Sequence, residues 1–336
     1  MELRERVNAF IELGNRLRCL DDSILNQWAG EANAANKWFT EDTVRLAVGN
    51  IADMLSPDKT REWISRYDKF AGESRRIGLV LAGNIPMVGL HDVICVLISG
   101  HTAEIKLSAQ DAVLIPRLLE LLTRVESRFE NHVHLVQRLN GSDAYIATGS
   151  DNTSRYFDYY FAGKPHIIRR NRTSVGVING FESALDIARL GEDIFTYFGL
   201  GCRNVAKLYL PEGYDPTGLY KALESFSHVV DHNKYANNYE YTRAIYLLKN
   251  IHYYDNGFLL LKEDEALASP VSVVYYDYYH SREELKRKLE LNDQKIQVIV
   301  SSDGWWPGSV PFGQAQKPAL WDYADKVDTM AFLAGL

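Results

Sequence analysis

The sequence predicts an α/β protein with two successive domains, each built around a parallel β-sheet. Short β-like runs alternate with helical segments from residue 77 to residue 300, which is typical of βαβ units. The alternation stops near Asn171 and then begins again, so two sheets are expected. The length of 336 residues agrees with this, because a single hydrophobic core usually stops growing at about 250–300 residues.

Residues 1–70 are expected to form a helical N-terminal segment. Helix-start signals occur at 40–42 (Thr-Glu-Asp) and at 56–58 (Ser-Pro-Asp), and apolar positions recur there three and four residues apart. The region predicts helices and no strand.

Residues 71–173 are expected to form a Rossmann-type nucleotide-binding domain, since four strands joined by three helical crossings favour that type. The predicted strands cover 77–82, 102–107, 144–148 and 166–169, and the predicted helices cover 87–99, 111–129 and 153–161. Each helix therefore connects two strands of one sheet.

Residues 174–302 are expected to form a second α/β domain, which would carry a catalytic thiol. The predicted strands cover 174–179, 206–210, 258–262, 271–276 and 296–300, and the predicted helices cover 183–197, 217–230, 239–250 and 283–291. The last segment, 303–336, is rich in Trp, Pro and Gly at its start. It is expected to be a loop that returns over the rest of the molecule.

The composition argues against several classes of partner. The net charge is −7 and no block of Lys and Arg occurs, so no nucleic acid is expected. The longest apolar stretch, 85–98, is interrupted by His91 and Asp92 and is too short to cross a bilayer, so no membrane span is expected. Residues 1–10 lack the apolar core of a signal peptide, and the three cysteines are too scattered for a disulfide framework. We therefore expect a cytoplasmic protein.

Cys202 is the first candidate for chemistry. It ends the run Gly-Leu-Gly-Cys at 199–202, between a predicted helix and a predicted strand. Two glycines let the backbone approach a bound group closely, and a cysteine there could be a thiolate nucleophile whose own N–H faces the oxygen of a bound carbonyl. The alternative is a small buried cysteine in a tight turn, which is the usual role of a free cysteine. Cys19 and Cys95 lie inside helical patterns and are assigned that usual role.

Asn84 follows the first predicted strand of the nucleotide-binding domain, and Lys106 lies at the end of the second. Ligands of open α/β sheets bind beyond the carboxyl ends of the strands, so the Asn84 amide could donate a hydrogen bond to a substrate oxygen. It could equally cap the following helix. Lys106, with Ser108 close behind it, could bond the ribose or the phosphates of a dinucleotide, although solvated lysines are commoner.

Gly149 and Ser150 form a turn between a predicted strand and a predicted helix. Backbone N–H groups at a helix N-terminus favour a phosphate, and Ser150 could add a hydroxyl donor. The turn lacks the full G-x-G-x-x-G pattern, so by itself it is a weak signal.

No metal is expected, because the histidines that come in pairs lack the further ligands of a metal site. These pairs are His132/His134 and His228/His232.

Taken in order, these segments resemble motifs of the aldehyde dehydrogenase superfamily, most closely its acyl-CoA reductase branch, which includes the long-chain fatty-acid reductase of bacterial luminescence. In that superfamily an oxyanion-holding Asn, a K-P-S-E strand, a G-S turn and a G-x-x-C nucleophile follow one another. The resemblance runs from about residue 70 to the end of the chain and includes 310–313 and 321–325. It implies an aldehyde-dehydrogenase-like fold with Cys202 and Asn84 as catalytic residues. The cofactor-binding residues that it implies are Lys106, Ser108, Gly149 and Ser150.

Two departures from the family pattern change the expected chemistry. Hydrolytic aldehyde dehydrogenases have a glutamate in an E-L-G-G-K-like strand that activates water, whereas the matching stretch here, 167–172, has no acid. A thioester on Cys202 should then persist long enough to meet hydride or another thiol. The ribose-binding E-E-I-F-G-P motif is represented only by 265–270, with Glu265 one residue out of register.

The resemblance implies an acyl-CoA reductase, in which an acyl-CoA or acyl-protein thioester acylates Cys202 and NAD(P)H reduces the acyl group to an aldehyde. We expect NADPH, since Ala109 stands where K-P-S-E has its ribose-binding glutamate; NADH is the alternative, because Asp111 could turn toward the ribose. The alternative functions are a reductase of an acyl phosphate on the same fold, a non-redox cysteine acyltransferase or thioesterase, and a scaffold without catalysis. A homo-oligomer is compatible with all of them.

Overall fold

The computed structural model describes residues 1–67, 70, 72–149 and 151–336, and it confirms the α/β class. The chain folds into two compact units. The first unit comprises Met1–Asn171 and Pro318–Leu336, and the second unit comprises Arg172–Lys317. Each unit has its own β-sheet. That the first unit binds a nucleotide and the second supplies the thiol remains a prediction.

Four helices open the first unit and bury their apolar faces. They are α1 (Leu3–Arg18), α2 (Asp22–Ala35), α3 (Glu41–Met54) and α4 (Pro57–Ile64). The predicted start signals are used, since Thr40 accepts a hydrogen bond from the Thr43 N–H at the beginning of α3, and Pro57 occupies the first position of α4. Phe10 and Leu13 of α1 are almost completely buried. The burial of such side chains, and not helix propensity alone, stabilises helices of this length.

The first sheet has five parallel strands and three crossing helices. In chain order its elements are β1 (Arg76–Val80), α5 (Leu90–Ser99), β2 (Thr102–Lys106), α6 (Leu114–Val125), β3 (Val133–Leu135), β4 (Ala144–Thr148), α7 (Asp151–Phe161) and β5 (His166–Arg169). The strand order is β3-β2-β1-β4-β5. The chain therefore builds outward from β1 in one direction and then crosses to its other side with β4. Open parallel sheets bind ligands at such a reversal, beyond the carboxyl ends of the strands.

The second sheet has seven strands in the order β12-β11-β6-β7-β10-β9-β8, and every pairing is parallel except that of β8 with β9. Its elements are β6 (Thr173–Val177), α8 (Ala184–Phe195), β7 (Val205–Pro211), α9 (Tyr220–Leu223), α10 (Asn233–Leu248), β8 (Tyr254–Asp255), β9 (Leu260–Glu263), β10 (Val273–Tyr279), α11 (Arg282–Leu291), β11 (Ile296–Ser301) and β12 (Val310–Pro311). Val175, Leu208 and Val300 lie in its buried centre.

The structure differs from the sequence prediction in four places. Two of them are the short strands β3 and β8, which were not predicted. The predicted helix over 217–230 is a 3₁₀ turn, the single turn α9 and a second 3₁₀ stretch, because Pro216 and Gly218 at its start disfavour a regular α-helix. The tail is more than a loop: β12 pairs with β11, and α12 (Thr329–Ala334) packs on α5 in the first unit.

None of the helices in the described residues is long and apolar enough to cross a membrane.

Candidate active site

Asn84 and Ser108 lie beyond the carboxyl ends of the neighbouring strands β1 and β2, and both are half-buried. The two loops pack tightly, since a Cβ at Gly83 would lie 2.6 Å from the Ser108 Cβ. Only glycine fits there, so the position of Asn84 is set by the packing of its neighbour. Lys106 ends β2 with an exposed side chain. The predicted residues Asn84, Lys106 and Ser108 therefore share one edge of the first sheet.

Asp111 supports the loop that contains Asn84. One of its carboxylate oxygens accepts a hydrogen bond of 2.6 Å from the N–H of Met87, a residue held in the left-handed region at φ 56°. The side chain is only 3% exposed, and this burial raises its pKa to about 6. The Asp111 carboxylate is thus directed at the backbone of Met87, and the choice between NADPH and NADH stays a prediction.

Gly149 lies where β4 passes into α7, and its N–H donates to the carbonyl of Arg169 on β5. A Cβ at position 149 would come within 2.9 Å of the Phe157 ring and 3.0 Å of the Thr153 Cβ. The glycine thus lets α7 begin close to the strand end. Ser150, the other predicted residue of this turn, lies outside the described residues.

Arg169 ends β5 inside the stretch 167–172, which contains no acid. Its guanidinium is buried and donates to both carboxylate oxygens of Asp92 on α5. The same guanidinium donates to the Ala324 carbonyl and to the Thr329 hydroxyl of the tail. This position therefore holds a fully engaged cation that joins β5, α5 and the tail within the first unit.

Cys202 lies in the second unit, in the loop 200–204 between α8 and β7, which we call the thiol loop. Asn204 fixes this loop through two hydrogen bonds with Gly201. Its side-chain Oδ1 accepts from the Gly201 N–H at 2.8 Å, and its backbone N–H donates to the Gly201 carbonyl at 3.0 Å. The Asn204 amide also donates to the Thr196 carbonyl at 2.7 Å, beyond the end of α8. On the other side, the Ser174 hydroxyl donates to the Cys202 carbonyl at 3.0 Å. The half-buried Cys202 is therefore carried by a rigid turn.

Asp193 ties the start of the tail to the same helix. Its carboxylate accepts hydrogen bonds from the N–H groups of Gly313 at 2.7 Å and Ala315 at 2.9 Å. Arg203 of the thiol loop donates to the Ala315 carbonyl at 2.7 Å. Asp193 is only 1% exposed, and its burial raises its pKa to about 7. The 313–315 segment is thus fastened both to α8 and to the thiol loop.

Three consecutive residues before the thiol loop are left-handed, namely Tyr197 (φ 52°), Phe198 (φ 57°) and Gly199 (φ 77°). Two of them carry side chains that disfavour this region. Phe198 packs on His232, with 4.4 Å between the ring centroids. Backbone strain that packing sustains is common beside functional residues.

Glu265 is exposed and follows β9 at the carboxyl edge of the second sheet, whereas Cys202 precedes β7 at the amino edge. The segment 269–272 that follows Glu265 returns to the amino edge and lines a cavity together with Phe198 and Gly199. The thiol loop is therefore next to the second half of the partial motif at 265–270 and not next to its glutamate.

The other two cysteines have different surroundings. Cys95 is completely buried in α5, and burial raises the pKa of its thiol well above the usual range, although His91 Nδ1 lies 3.8 Å from its sulfur. Cys19 is exposed at the end of α1. Neither lies in the second unit.

Sequence reasoning missed Asp193, Asn204 and Phe198. Nothing in the local pattern distinguishes the two polar residues. The partners of Asp193 are backbone groups of the distant 313–315 segment, and those of Asn204 are backbone groups of its own loop and of the end of α8. The glycines at 199 and 201, which disfavour a regular helix or strand, did predict the turn itself. The proposed partnership of Asn84 with Cys202 joins residues of different units and remains a prediction.

The two α/β units, with a five-stranded and a seven-stranded sheet, form an aldehyde-dehydrogenase-like fold. A protein of Burkholderia cenocepacia assigned as an aldehyde dehydrogenase has a TM-score of 0.68 and 13% identity, over 90% of this chain and 76% of that one. Aldehyde dehydrogenase C of Pseudomonas syringae, solved as a mutant with NAD+ and octanal, gives 0.66 and 10%, over 90% and 73%. Aldehyde dehydrogenase 21 of Physcomitrella patens, solved with its product succinate, gives 0.65 and 14%, over 90% and 73%.

The sequence matches no protein-family profile and no curated protein sequence. At identities this low, the likeness to solved structures establishes the fold and leaves the activity to be argued from the residues.

Proposed function

We propose that this protein is an NAD(P)H-dependent reductase of acyl thioesters, acyl-CoA above all, that releases an aldehyde through an acyl group bound to Cys202. The observation that carries the proposal is the rigid turn around the half-buried Cys202, held by Asn204 and Ser174. A fixed and partly exposed thiol suits covalent catalysis, because the sulfur meets a carbonyl without rearrangement of the loop.

In the first step the Cys202 thiolate attacks the carbonyl carbon of the acyl thioester. A carbon–sulfur bond to Cys202 forms, the bond to the CoA sulfur breaks, and CoA leaves as a thiolate that takes up a proton. The backbone N–H of Cys202 and the side-chain amide of Asn84 would donate to the carbonyl oxygen as it becomes negative. Such donors lower the barrier more than they tighten binding, because the full charge exists only in the transition state.

Several features of the first unit support the binding of a nicotinamide dinucleotide. Its strand order reverses between β1 and β4, and the residue after β4 is Gly149, where the chain cannot accept a side chain without displacing α7. The exposed Lys106 and the nearby Ser108 supply a positive charge and a hydroxyl at the same edge. These residues, with Ser150, would hold the ribose and phosphates. The bound cofactor would supply the hydride that converts the Cys202 thioester into an aldehyde.

NADPH is the proposed form of the cofactor. Ala109 is exposed beside Lys106 and Ser108 and presents no carboxylate to repel a 2′-phosphate, while Asp111 is buried and occupied with Met87. The ammonium group of Lys106 would pair with the phosphate. Both features favour the phosphorylated dinucleotide.

The protein is proposed to reduce its thioester and not to hydrolyse it. The stretch 167–172 contains no acid, and Arg169 within it is occupied with Asp92. A carboxylate beside the thioester would be needed to take a proton from water. Water therefore attacks the acyl group slowly in comparison with hydride.

The test is oxidation of the nicotinamide followed by absorbance, with acyl-CoAs or acyl phosphates as substrates. Saturation by acyl-CoA with aldehyde as product supports the proposal. Saturation by acyl phosphate alone would identify a reductase of acyl phosphates instead. Rapid release of free acid without any nicotinamide would identify a thioesterase. Transfer of the acyl group to a second thiol, with no oxidation of nicotinamide, would identify an acyltransferase. Cys202→Ser is the control for thiol dependence.

A further inference from the structure

A mainly polar cavity lies in the first unit, at the edge of the sheet where its strands begin. Its volume is about 220 Å³, whereas a single water molecule needs only about 10–15 Å³ of such space. Residues close before three neighbouring strands line it, namely Ser74 before β1, His101 before β2 and His132 before β3. Arg6 of α1 and Gly100 at the end of α5 also line it. We call this space the amino-edge cavity.

The amino-edge cavity is separate from the candidate active site. Asn84 and Ser108 lie beyond the carboxyl ends of β1 and β2, whereas the cavity lies before the first residues of the same strands. β2 has 5 residues at about 3.3 Å each, so roughly 15 Å of strand separates the two edges of the sheet. A ligand of this cavity would therefore occupy a place of its own within the first unit.

The charge of the cavity wall is positive. The described residues that line it include cationic and neutral side chains but no carboxylate. Arg6 is half-buried, and burial lowers the pKa of its guanidinium, although the carboxylates of Glu2 and Glu5 oppose this effect. Glu5 is itself engaged, since it accepts hydrogen bonds from Arg128 and from the Glu2 N–H. The wall therefore presents a partly desolvated cation to which it supplies no anion.

The guanidinium of Arg6 is held in place by neutral groups. Its Nε donates to the Ile98 carbonyl at 2.8 Å, and its Nη1 donates to the Met1 carbonyl. Gly100, which is left-handed at φ 95°, lets the guanidinium lie close to the backbone, since a Cβ there would be 3.1 Å from Cζ and 3.2 Å from Nη2. An arginine has five N–H donors, and the described residues leave three of those of Arg6 without a protein acceptor.

The two histidines that line the cavity differ in the nitrogens that they can offer to a ligand. His101 Nδ1 accepts from the Arg75 N–H at 3.1 Å and its Nε2 donates to the Leu333 carbonyl at 3.1 Å, so both of its nitrogens are used. His132 Nδ1 lies 3.2 Å from the Thr102 hydroxyl, and its Nε2 has no partner in the described part of the chain. When Thr102 donates to Nδ1, the proton of His132 is on Nε2, which is then a donor.

We propose that the amino-edge cavity binds a phosphate group through the Arg6 guanidinium, the His132 imidazole and the Ser74 hydroxyl. These donors come from α1, from the residue before β3 and from the segment before β1, so they approach a ligand from different elements. A tetrahedral phosphate offers an oxygen to each of them, and its bonds to a guanidinium are charge-assisted. The phosphate is either the free ion or part of a small monoester.

The first experiment follows the ring resonances of His132 and His134 by NMR while inorganic phosphate is added at constant ionic strength. His134 is the control resonance, because it is exposed two residues further along and is not among the residues that line the cavity. We expect a saturable shift for His132 and little change for His134. Arg6→Met should weaken this binding about tenfold or more, and Ser74→Ala about threefold. The matched control is Arg4→Met, since Arg4 is exposed on α1 and does not line the cavity.

The second experiment repeats the titration with glycerol 3-phosphate and with acetate. Tighter binding of glycerol 3-phosphate than of inorganic phosphate would support the proposal with a monoester as the ligand, and the reverse order would support it with the free ion. Acetate that binds as tightly as phosphate, or a His132 resonance that millimolar phosphate leaves unchanged in the folded wild type, would overturn it. Because Ser74 is exposed, Ser74→Ala keeps the test decisive if Arg6→Met does not fold. Wild-type affinity in Ser74→Ala would refute the proposed set of donors.

Discussion

Arg169 and Asp92 form a buried ion pair, with guanidinium nitrogens 2.6 and 3.2 Å from the two carboxylate oxygens. The pair joins the end of β5 to α5, and Arg169 extends it to the tail through Ala324 and Thr329. Nearby, the Trp63 ring N–H donates to the hydroxyl of Tyr323 at 2.7 Å. Within the stretch 167–172, which contains no acid, Arg169 is therefore a structural cation.

Arg169→Met should destabilise the protein by about 3–5 kcal/mol, because it leaves the buried carboxylate of Asp92 without its partner. The control is Arg170→Met. Arg170 pairs with Asp158 on the surface, and exposed pairs contribute only about 0–1 kcal/mol. Urea unfolding of both variants provides the comparison. Equal free energies of unfolding would show that the buried pair does not anchor the tail.

Asn84→Ala should lower kcat by about 10²- to 10³-fold with a small change in KM, as expected for the loss of one oxyanion donor. The reason is that the amide meets negative charge that develops only in the transition state. Steady-state kinetics with a saturating acyl-CoA measure the effect. Asn84→Asp, which keeps the shape and removes the donor, should be equally slow. A variant with the wild-type kcat and a raised KM would assign Asn84 to binding.

Asp193→Asn should change how stability depends on pH. Burial raises the pKa of Asp193 from its ordinary 3.8 to about 7. Between these two pH values the unfolded chain has lost this proton and the folded protein has kept it, so the free energy of unfolding falls as the pH rises and levels off above about pH 7. The resulting loss of unfolding free energy across this range is of order 4 kcal/mol, at about 1.36 kcal/mol for each pKa unit. Asp193→Asn removes it.

Urea unfolding of the wild type and Asp193→Asn from about pH 5 to about pH 8 tests this dependence. The control is Asp186→Asn, since hydrogen bonds from Ser183 lower the pKa of Asp186 below its usual value and keep it ionised throughout that range. The stability of the wild type and of Asp186→Asn should fall in parallel, while that of Asp193→Asn should fall by much less, since only Asp111, whose pKa burial raises to about 6, still contributes a fall of this kind. A wild-type stability that rises with pH in this range would contradict the assignment.

NADPH should be the preferred reductant, because Ala109 offers no carboxylate to repel its 2′-phosphate and Lys106 can pair with it. Replacement Ala109→Glu should reduce the ratio of kcat/KM for NADPH to that for NADH by about tenfold, since a new anion would face the phosphate. Lys106→Met should reduce the same ratio without affecting NADH as much. A wild-type preference of about tenfold or more for NADH would show that position 109 does not determine the choice.

Much of the fold followed from local patterns. The predicted strands at 144–148 and 166–169 agree with β4 and β5 residue for residue, because both are short apolar runs between turn residues. β3 was missed because three residues give too little alternation to detect. The predicted helix over 217–230 failed because apolar periodicity outweighed Pro216 and Gly218 in the prediction.

At the candidate site, the local sequence marks the turn at Cys202 through its two glycines, and the role of Cys202 as a nucleophile stays a prediction. Asp193 contacts backbone groups 120 residues away, and Arg169 pairs with an acid 77 residues earlier in the chain. Long-range partnerships of this kind leave no trace in the local sequence. They become visible only when the fold brings β5, α5 and the tail together, or α8 and the 313–315 segment.

The most direct test of the account is the mass of the protein after incubation with an acyl-CoA in the absence of nicotinamide. The account predicts a gain equal to one acyl group, located by peptide mapping on Cys202, stable over many minutes and lost on addition of NADPH with release of an equal amount of aldehyde. Cys202→Ser should show no such thioester, whereas Cys95→Ser should still acquire it. Acylation of Cys95 or Cys19 in place of Cys202, or the absence of any acylated protein while aldehyde still forms, would contradict the central claim.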